Sequence, residues 1–227
     1  MNATAIAPDP TGRHNGPPDG VRPPGWAYEI RPLPTAADRE VAAALVQDRG
    51  LWLAPRGLDT PALHAAAFRN PHAEAAGLFE ENNDGDEILI GCLLLHRQPA
   101  PQSRGVDDSA SALTVSLAHT APGRTDRPGW LLTMWLADYT ARAGNDWAYA
   151  EVPGWHTGSN GGAARLVRHL RDLGWRVLGT GHDPDGHRVT RIRLAAVASP
   201  GLTAVIHCTV PLHPAAPSRE PEEGSTR

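Results

Sequence analysis

Residues 113–174 constrain the fold more than any other part of the chain, because they alternate strand and helix. An apolar strand is predicted over residues 112–118. A helix is predicted over residues 128–142, where apolar side chains recur every three or four positions. A second strand over 147–152 and a second helix over 161–173 follow. Crossovers of this strand–helix–strand kind build a sheet with helices packed on its faces.

Shorter elements precede this unit. Residues 28–33 alternate like a strand, and two apolar runs, 75–80 and 87–95, flank a turn rich in Asn, Asp and Gly. Between the first two of these strands, one helix is predicted from an N-cap at Thr35 to a stop at Gly50. A second helix is predicted over residues 61–69, with proline at its first position.

Strands over residues 176–180 and 188–194 are predicted to form a closing hairpin, and residues 203–210 one more edge strand. The complete order is therefore β α α β β β α β α β β. This order predicts an α/β (α+β) fold, with a mixed, largely antiparallel sheet and helices on both faces.

Proline and glycine, 22 and 23 of the 227 residues, cluster toward the two ends of the chain. We expect residues 1–27 and residues 211–227 to be disordered tails that are dispensable for folding. One domain is expected over residues 28–210. No apolar run approaches the ~20 residues that cross a bilayer, and the N-terminus lacks the pattern of a secretory signal. We therefore expect a cytoplasmic protein without a membrane partner.

The charged and metal-binding residues exclude several classes of function. The net charge of −4 gives no general attraction to nucleic acid. All 21 basic residues are arginine, so a lysine nucleophile or Schiff base is excluded. Cys92 and Cys208 are expected to be small buried residues rather than zinc ligands. The eleven histidines show no HExxH spacing, and no metal is expected.

A basic loop, residues 124–130, lies between the strand 112–118 and the next helix, with the sequence Arg-Thr-Asp-Arg-Pro-Gly-Trp. A helix N-terminus offers unpaired N–H donors and a partial positive charge, both of which favour phosphate. Arg124 and Arg127 add permanent charges that can bind phosphate through two hydrogen bonds each. The alternative is an ordinary capped helix start with two exposed arginines.

This loop resembles the Gln/Arg-x-x-Gly-x-Gly/Ala motif of the GNAT (general N-acetyltransferase) superfamily, in which backbone N–H groups hold the pyrophosphate of coenzyme A. Arg127 stands where the motif has its first glycine, and Pro128 removes one N–H. A second stretch, residues 160–175, resembles the superfamily's Asn-x-x-Ala…Leu-Gly-Phe segment. The catalytic tyrosine frequent in the superfamily is replaced by Leu170. The resemblance covers about residues 28–196.

The resemblance implies a site for acetyl-CoA, or a related acyl-CoA, as co-substrate. The residues that match the superfamily's binding positions are Leu117, Ala118, Arg124, Thr125, Arg127, Gly129, Trp130 and Asn160. Asn160 could equally be a helix cap. Glu151 and His119 are the candidate general bases, Glu151 being the better placed of the two. A purely structural or solvent-facing role is the alternative for each.

The function implied is transfer of an acyl group to a primary amine of a small molecule or protein, by direct attack of the amine. The alternative is a non-catalytic domain of the same fold that binds acyl-CoA or a protein partner. A homodimer is left open. Acceptor specificity is expected in residues 51–72 and 181–188. Within the first range, four side chains could line an acceptor pocket or belong to the core: Trp52, His64, Phe68 and His72.

Overall fold

The structure, a computed structural model, describes seven stretches of the chain: residues 27–56, 62–82, 85–96, 113–124, 127–153, 162–183 and 186–212. Thr125 and Asn160 lie outside them. The strands are β1 Tyr28–Pro32, β2 Glu74–Glu81, β3 Glu87–His96, β4 Leu113–Thr120, β5 Trp147–Pro153, β6 Arg176–His182, β7 Arg188–Ala195 and β8 Ile206–Cys208. The helices are α1 Ala36–Leu53, α2 Ala62–Arg69, α3 Arg127–Arg142 and α4 Gly162–Asp172.

The eight described strands form one sheet in the order β6-β7-β5-β4-β3-β2-β1-β8. Neighbours pair antiparallel except for β4 with β5 and β1 with β8, which are parallel. The predicted mixed, largely antiparallel sheet is therefore confirmed. The parallel β4–β5 pair follows from the crossover through α3, because parallel neighbours cannot be joined by a tight turn.

Helices cover both faces of this sheet, as expected. On one face, α1 and α2 pack against β2 and β3 through a cluster that includes Val46, Phe68 and Cys92. On the other face, α3 packs on the sheet through a second cluster, centred on Trp135, and the apolar side of α4 joins it. Burial raises the pKa of the Cys92 thiol, so Cys92 is a protonated core residue. Within the described ranges, no helix has the length and apolar composition of a membrane span.

The ends of the helices agree with some of the residues predicted to begin or end them and not with others. Thr35 caps α1 as predicted, and its hydroxyl accepts from the Asp38 N–H at 3.1 Å. The predicted stop at Gly50 is wrong, because α1 continues to Leu53. A glycine ends a helix when it adopts a positive φ. Gly144 and Gly174 do so after α3 and α4, with φ of +76° and +96°, and Gly50 does not.

The edge strand predicted over residues 203–210 is only partly correct. A 3-10 helix, Pro200–Ala204, takes up its beginning, and only Ile206–Cys208 form a strand, β8. Buried polar groups on α3 hold this segment in place: the Tyr139 hydroxyl donates to the Pro211 carbonyl at 2.6 Å. The Trp135 indole N–H donates to the half-buried Cys208 sulfur at 3.1 Å. The C-terminal segment is thus attached to the sheet and to α3.

Candidate functional site: a cleft between diverging strands

The central feature of the sheet is a gap between β4 and β5. These parallel strands pair at only three positions, the last being Val115 with Ala150. Beyond that point β4 stays paired to β3 as far as Thr120, and β5 stays paired to β7 as far as Pro153. The carboxyl ends of the two strands therefore diverge. In α/β sheets, a crevice at the carboxyl ends of strands is the usual place for a ligand.

A β-bulge in β4 marks the point of divergence. Leu95 pairs with Val115 and Leu94 with Leu117, which leaves Ser116 as the extra residue. An extra residue shifts the alternation of side chains to the opposite faces and bends the strand. Consistent with this shift, Val115 belongs to the core beneath α3, whereas Leu117 packs against the core beneath α1 and α2.

Backbone groups of β4 face the gap. The Ala121 N–H donates to the Ile90 carbonyl of β3 at 2.9 Å. This bond shows which residues at the end of β4 direct their N–H and C=O groups toward β3. Because successive residues of a strand point their N–H and C=O groups to opposite edges, those of Thr120 and Ala118 point away from β3, toward the gap. Ala118 is exposed although its strand is central in the sheet. No strand in the described part of the chain pairs with this edge.

The N-terminus of α3 lies beyond the end of β4. The first four N–H positions of a helix lack partners within it, and here Pro128 has no N–H to offer. Gly129, the third residue of the helix, keeps its N–H, whereas the N–H of Trp130 bonds within the first helical turn. A side-chain carbon added at Gly129 would lie 4.0 Å from Nε2 of His169 on α4, so the start of α3 faces α4. Trp130 is 46% exposed. This arrangement offers free N–H donors and a partial positive charge to an anion.

The two arginines of the basic loop lie near the β1–β2 side of this helix end. Arg124 forms an ion pair with Glu80 of β2. Arg127 places its guanidinium carbon 5.2 Å from the centre of the Tyr28 ring of β1. Burial, together with a hydrogen bond to Glu80, raises the pKa of Tyr28, so its hydroxyl stays protonated. The structure thus brings both arginines to one cluster, with one carboxylate already paired to Arg124.

The two candidate bases lie on the strands that border the gap. Ala148 and Val152 of β5 face the core beneath α3, so Glu151 faces the opposite side of the sheet. The bulge puts His119 on that same side, where its ring centre lies 5.3 Å from that of His64 and 6.3 Å from that of Phe68, both on α2. The sheet register therefore places both bases on one face, one on each side of the gap.

Glu151 is held by an arginine that the sequence analysis did not identify as a site residue. Arg191 lies directly opposite Glu151 in the β5–β7 register, and its Nε donates to Oε1 of Glu151 at 3.2 Å. Its NH2 group donates to the His182 carbonyl at 3.3 Å. A side-chain carbon at Gly181 would lie 3.0 Å from the guanidinium carbon, so glycine gives Arg191 its room. The only sequence signal for this pair is the cross-strand register, which depends on long-range pairing.

The four side chains considered for an acceptor pocket separate into core and surface. Phe68 is fully buried in the core beneath α1 and α2, and His64 is half-buried beside His119. Trp52 lies against the guanidinium groups of Arg49 and Arg56. His72 is exposed. Two of the four, His64 and Phe68, contact His119, and Phe68 does so as a core residue. In the described stretches, no three side chains of metal-ligating type come together.

No protein-family model matches this chain, and no curated protein sequence matches it. Solved structures similar to it include FeeM, an N-acyl amino acid synthase from uncultured soil microbes, at 14% identity and a TM-score of 0.49, over 74% of this chain and 91% of that one. Another is an aminoglycoside N(6′)acetyltransferase from Legionella pneumophila, at 11% identity and a TM-score of 0.48, over 75% and 93%. The mixed sheet with helices on both faces is the fold class that the resemblance to the GNAT superfamily implied.

Proposed function

We propose that this chain is an acyl-CoA-dependent N-acetyltransferase that uses the gap between β4 and β5. The observation that carries the proposal is the divergence of these strands immediately after Val115 and Ala150. The divergence leaves the backbone groups of Ala118 and Thr120 pointing into an opening in the middle of a sheet. An extended amide-containing chain such as pantetheine can use such an edge as another strand would.

The residues around the gap fit the rest of the co-substrate. The N–H groups of Arg127 and Gly129 lie at the start of α3, with Trp130 next to them, which suits the pyrophosphate. Leu117 contributes by packing, since its half-buried side chain lies against the core beneath α1 and α2. Acetyl-CoA supplies an activated acyl group as a thioester. The amine nitrogen attacks the acyl carbon, the carbon–sulfur bond breaks, and the released thiolate takes up a proton.

Glu151 is the proposed general base. An ammonium has no lone pair, so the acceptor must lose a proton before it attacks. Glu151 lies one residue beyond the last β4–β5 pair, at the edge of the gap, and its carboxylate is oriented by Arg191. Leu170 is half-buried and packs against the core beneath α3, and it provides no phenol to protonate the leaving thiolate. Solvent, or the proton taken from the amine, serves that purpose.

The test is a thiol-release screen with acetyl-CoA and a panel of primary amines, with acetylated products identified by mass spectrometry. Thiol release that depends on an amine, with a stoichiometric acetylated product, is expected. If acetyl-CoA binds and no amine in the panel is acetylated, the non-catalytic alternative replaces the proposal. The observation that favours this alternative is Leu170, packed against the core, at the position of the superfamily's tyrosine.

Replacing either loop arginine is expected to weaken acetyl-CoA binding. Arg124→Ala and Arg127→Ala should each cost about 1–3 kcal/mol, the scale of a lost hydrogen bond to a charged group. The loss at Arg124 should be the smaller of the two, because Glu80 competes for its guanidinium. Calorimetric titration with acetyl-CoA measures both. Arg176→Ala, on the edge strand β6, is the matched control. Unchanged affinity in both loop variants, with the fold intact, would remove this loop from the site.

A further inference from the structure

A small cavity lies on the sheet beside the gap. It has a volume of about 170 Å³ and opens over β5, β7 and β6, with Tyr149, Leu178, Gly179 and Arg191 in its lining. Gly179 contributes no side chain, and a bulge at Leu178 bends β6 at this point. The register puts Tyr149 and Arg191 on the face of the sheet opposite α3. That face is the one that carries both candidate bases.

The Glu151–Arg191 ion pair stands between this cavity and the gap. Arg191 lines the cavity, and Glu151, on the central strand β5, lies one residue beyond its last pairing with β4. Both side chains are only partly buried, with 26% of Glu151 and 23% of Arg191 exposed. A guanidinium that lines the cavity and the carboxylate paired with it therefore remain accessible to a ligand.

The charge of the surrounding face is positive. Arg193 lies opposite Tyr149 in the register and stacks on the Trp147 ring at 3.8 Å, with its buried Nε unpaired. Arg176 lies opposite Arg193 on β6. Glu151 is the acidic residue of β5 on this face. Positive potential of this kind favours a ligand that carries a carboxylate and disfavours a polyamine.

We propose that the acyl acceptor is a free α-amino acid with an apolar side chain, bound across the Glu151–Arg191 pair. This inference rests on the proposed function and adds the class of the acceptor. The ammonium of the amino acid faces Glu151, its carboxylate faces Arg191, and its side chain enters the cavity beside Tyr149 and Leu178. The ion pair and the amino acid are complementary dipoles, because each presents one positive and one negative group a short distance apart.

In this placement the amino nitrogen, which is the nucleophile, lies next to Glu151 at the edge of the gap. Glu151 takes a proton from the ammonium, directly or through water, and the freed lone pair forms the bond to the acyl carbon. The carbon–sulfur bond breaks and the thiolate is protonated, so that the products are an N-acyl amino acid and free coenzyme A. A simple alkylamine would contact Glu151 but offer no carboxylate to Arg191, so it should lack the second charged contact that an amino acid makes.

The experiment compares ligands that differ only in the carboxylate. Leucine, leucinamide and 3-methylbutylamine are titrated into the full chain by calorimetry without acyl-CoA, so that binding is read independently of turnover. Leucine is expected to bind about 10- to 100-fold more tightly than either analogue, the effect of one hydrogen-bonded charge pair. Arg191→Gln should abolish this preference. Arg171→Gln removes the same charge from an exposed position at the end of α4 and should keep it.

Equal affinity for the three ligands, or no binding of any, overturns the inference, as does a preference that survives in Arg191→Gln. Circular dichroism and thermal melting verify that the variants fold, and Arg191→Lys, which keeps the charge, should retain part of the preference. The proposed function fails separately, in the case that leucine binds selectively while no amine releases thiol from acetyl-CoA. In the opposite case, leucine and 3-methylbutylamine are acetylated with equal kcat/KM. That result supports the proposed acetyltransferase activity and overturns the inference that the acceptor is an amino acid.

Discussion

Replacing Glu151 with glutamine is expected to lower turnover by about 10²–10⁴-fold at neutral pH, the range for loss of a general base. Glutamine keeps the shape of the side chain and an oxygen that can accept from Arg191 Nε, now 3.2 Å from the carboxylate. It removes the ability to take a proton from the acceptor ammonium. The affinity for acetyl-CoA should stay near that of the wild type, because Glu151 faces away from the start of α3. Steady-state kinetics with the best acceptor measures the first effect and calorimetry the second.

His119→Gln is the matched comparison for the base, because His119 lies on the same face across the gap and contacts His64. Its loss should have the smaller effect on turnover. If Glu151→Gln turns over at the wild-type rate and His119→Gln loses most of its activity, His119 and not Glu151 is the general base. Weaker binding of the acceptor in Glu151→Gln is compatible with the account, provided that kcat also falls. A rise in KM with unchanged kcat would assign Glu151 to binding alone.

Replacing Arg39 with methionine is expected to destabilise the fold by about 3–5 kcal/mol, the scale for breaking a buried charged hydrogen-bond network. Arg39 lies on α1 and is 7% exposed. Its guanidinium donates to the carbonyls of Asn70 and Ala73 at 2.6 and 2.8 Å, and at longer distance to those of Phe68 and Pro71. These carbonyls belong to the end of α2 and the turn that enters β2.

Methionine fills a similar volume but donates to none of these carbonyls, which is the main cost; the Asn70 carbonyl still accepts from the Ala73 N–H at 3.1 Å. Urea denaturation followed by circular dichroism gives the free energy of unfolding. Arg69→Met serves as the control, because Arg69 pairs with Glu40 at the exposed surface between α1 and α2 and should contribute far less. If the two variants lose equal stability, the carbonyl cluster does not hold α1 to α2 in the way described.

Local signals predicted the elements of this fold well. The glycines that end α3 and α4 need a positive φ, which glycine adopts at little cost, and Thr35 with Asp38 forms a complete capping box. Gly50 also follows an apolar helical pattern, but it does not adopt a positive φ and does not end its helix. Its helix continues to Leu53 because a glycine in a helical conformation costs only about 1 kcal/mol; the buried residues of α1 all precede it. The segment after Pro200 differs because α3 anchors it.

The candidate site depends on long-range pairing and was less accessible from the sequence. The basic loop could be located from the strand–loop–helix order, and Ala118 from the resemblance to the GNAT superfamily. The bulge at Ser116 decides which face His119 occupies, and no local signal indicates a bulge there. Arg191 reaches Glu151 only because β7 pairs with β5, 40 residues earlier in the chain. Sequence reasoning that treats each strand alone misses such a partner.

Calorimetric titration of acetyl-CoA into the wild type and into Ala118→Trp tests the central claim, that the gap between β4 and β5 holds the co-substrate. Ala118 is exposed at this gap, so an indole there should block it without disturbing the core. Ala44→Trp, at an exposed position of α1, is the control for the added bulk. We expect one acetyl-CoA per chain, with micromolar affinity, in the wild type and in Ala44→Trp, and no measurable binding in Ala118→Trp. Equal binding in all three proteins, or binding in none, would contradict the account.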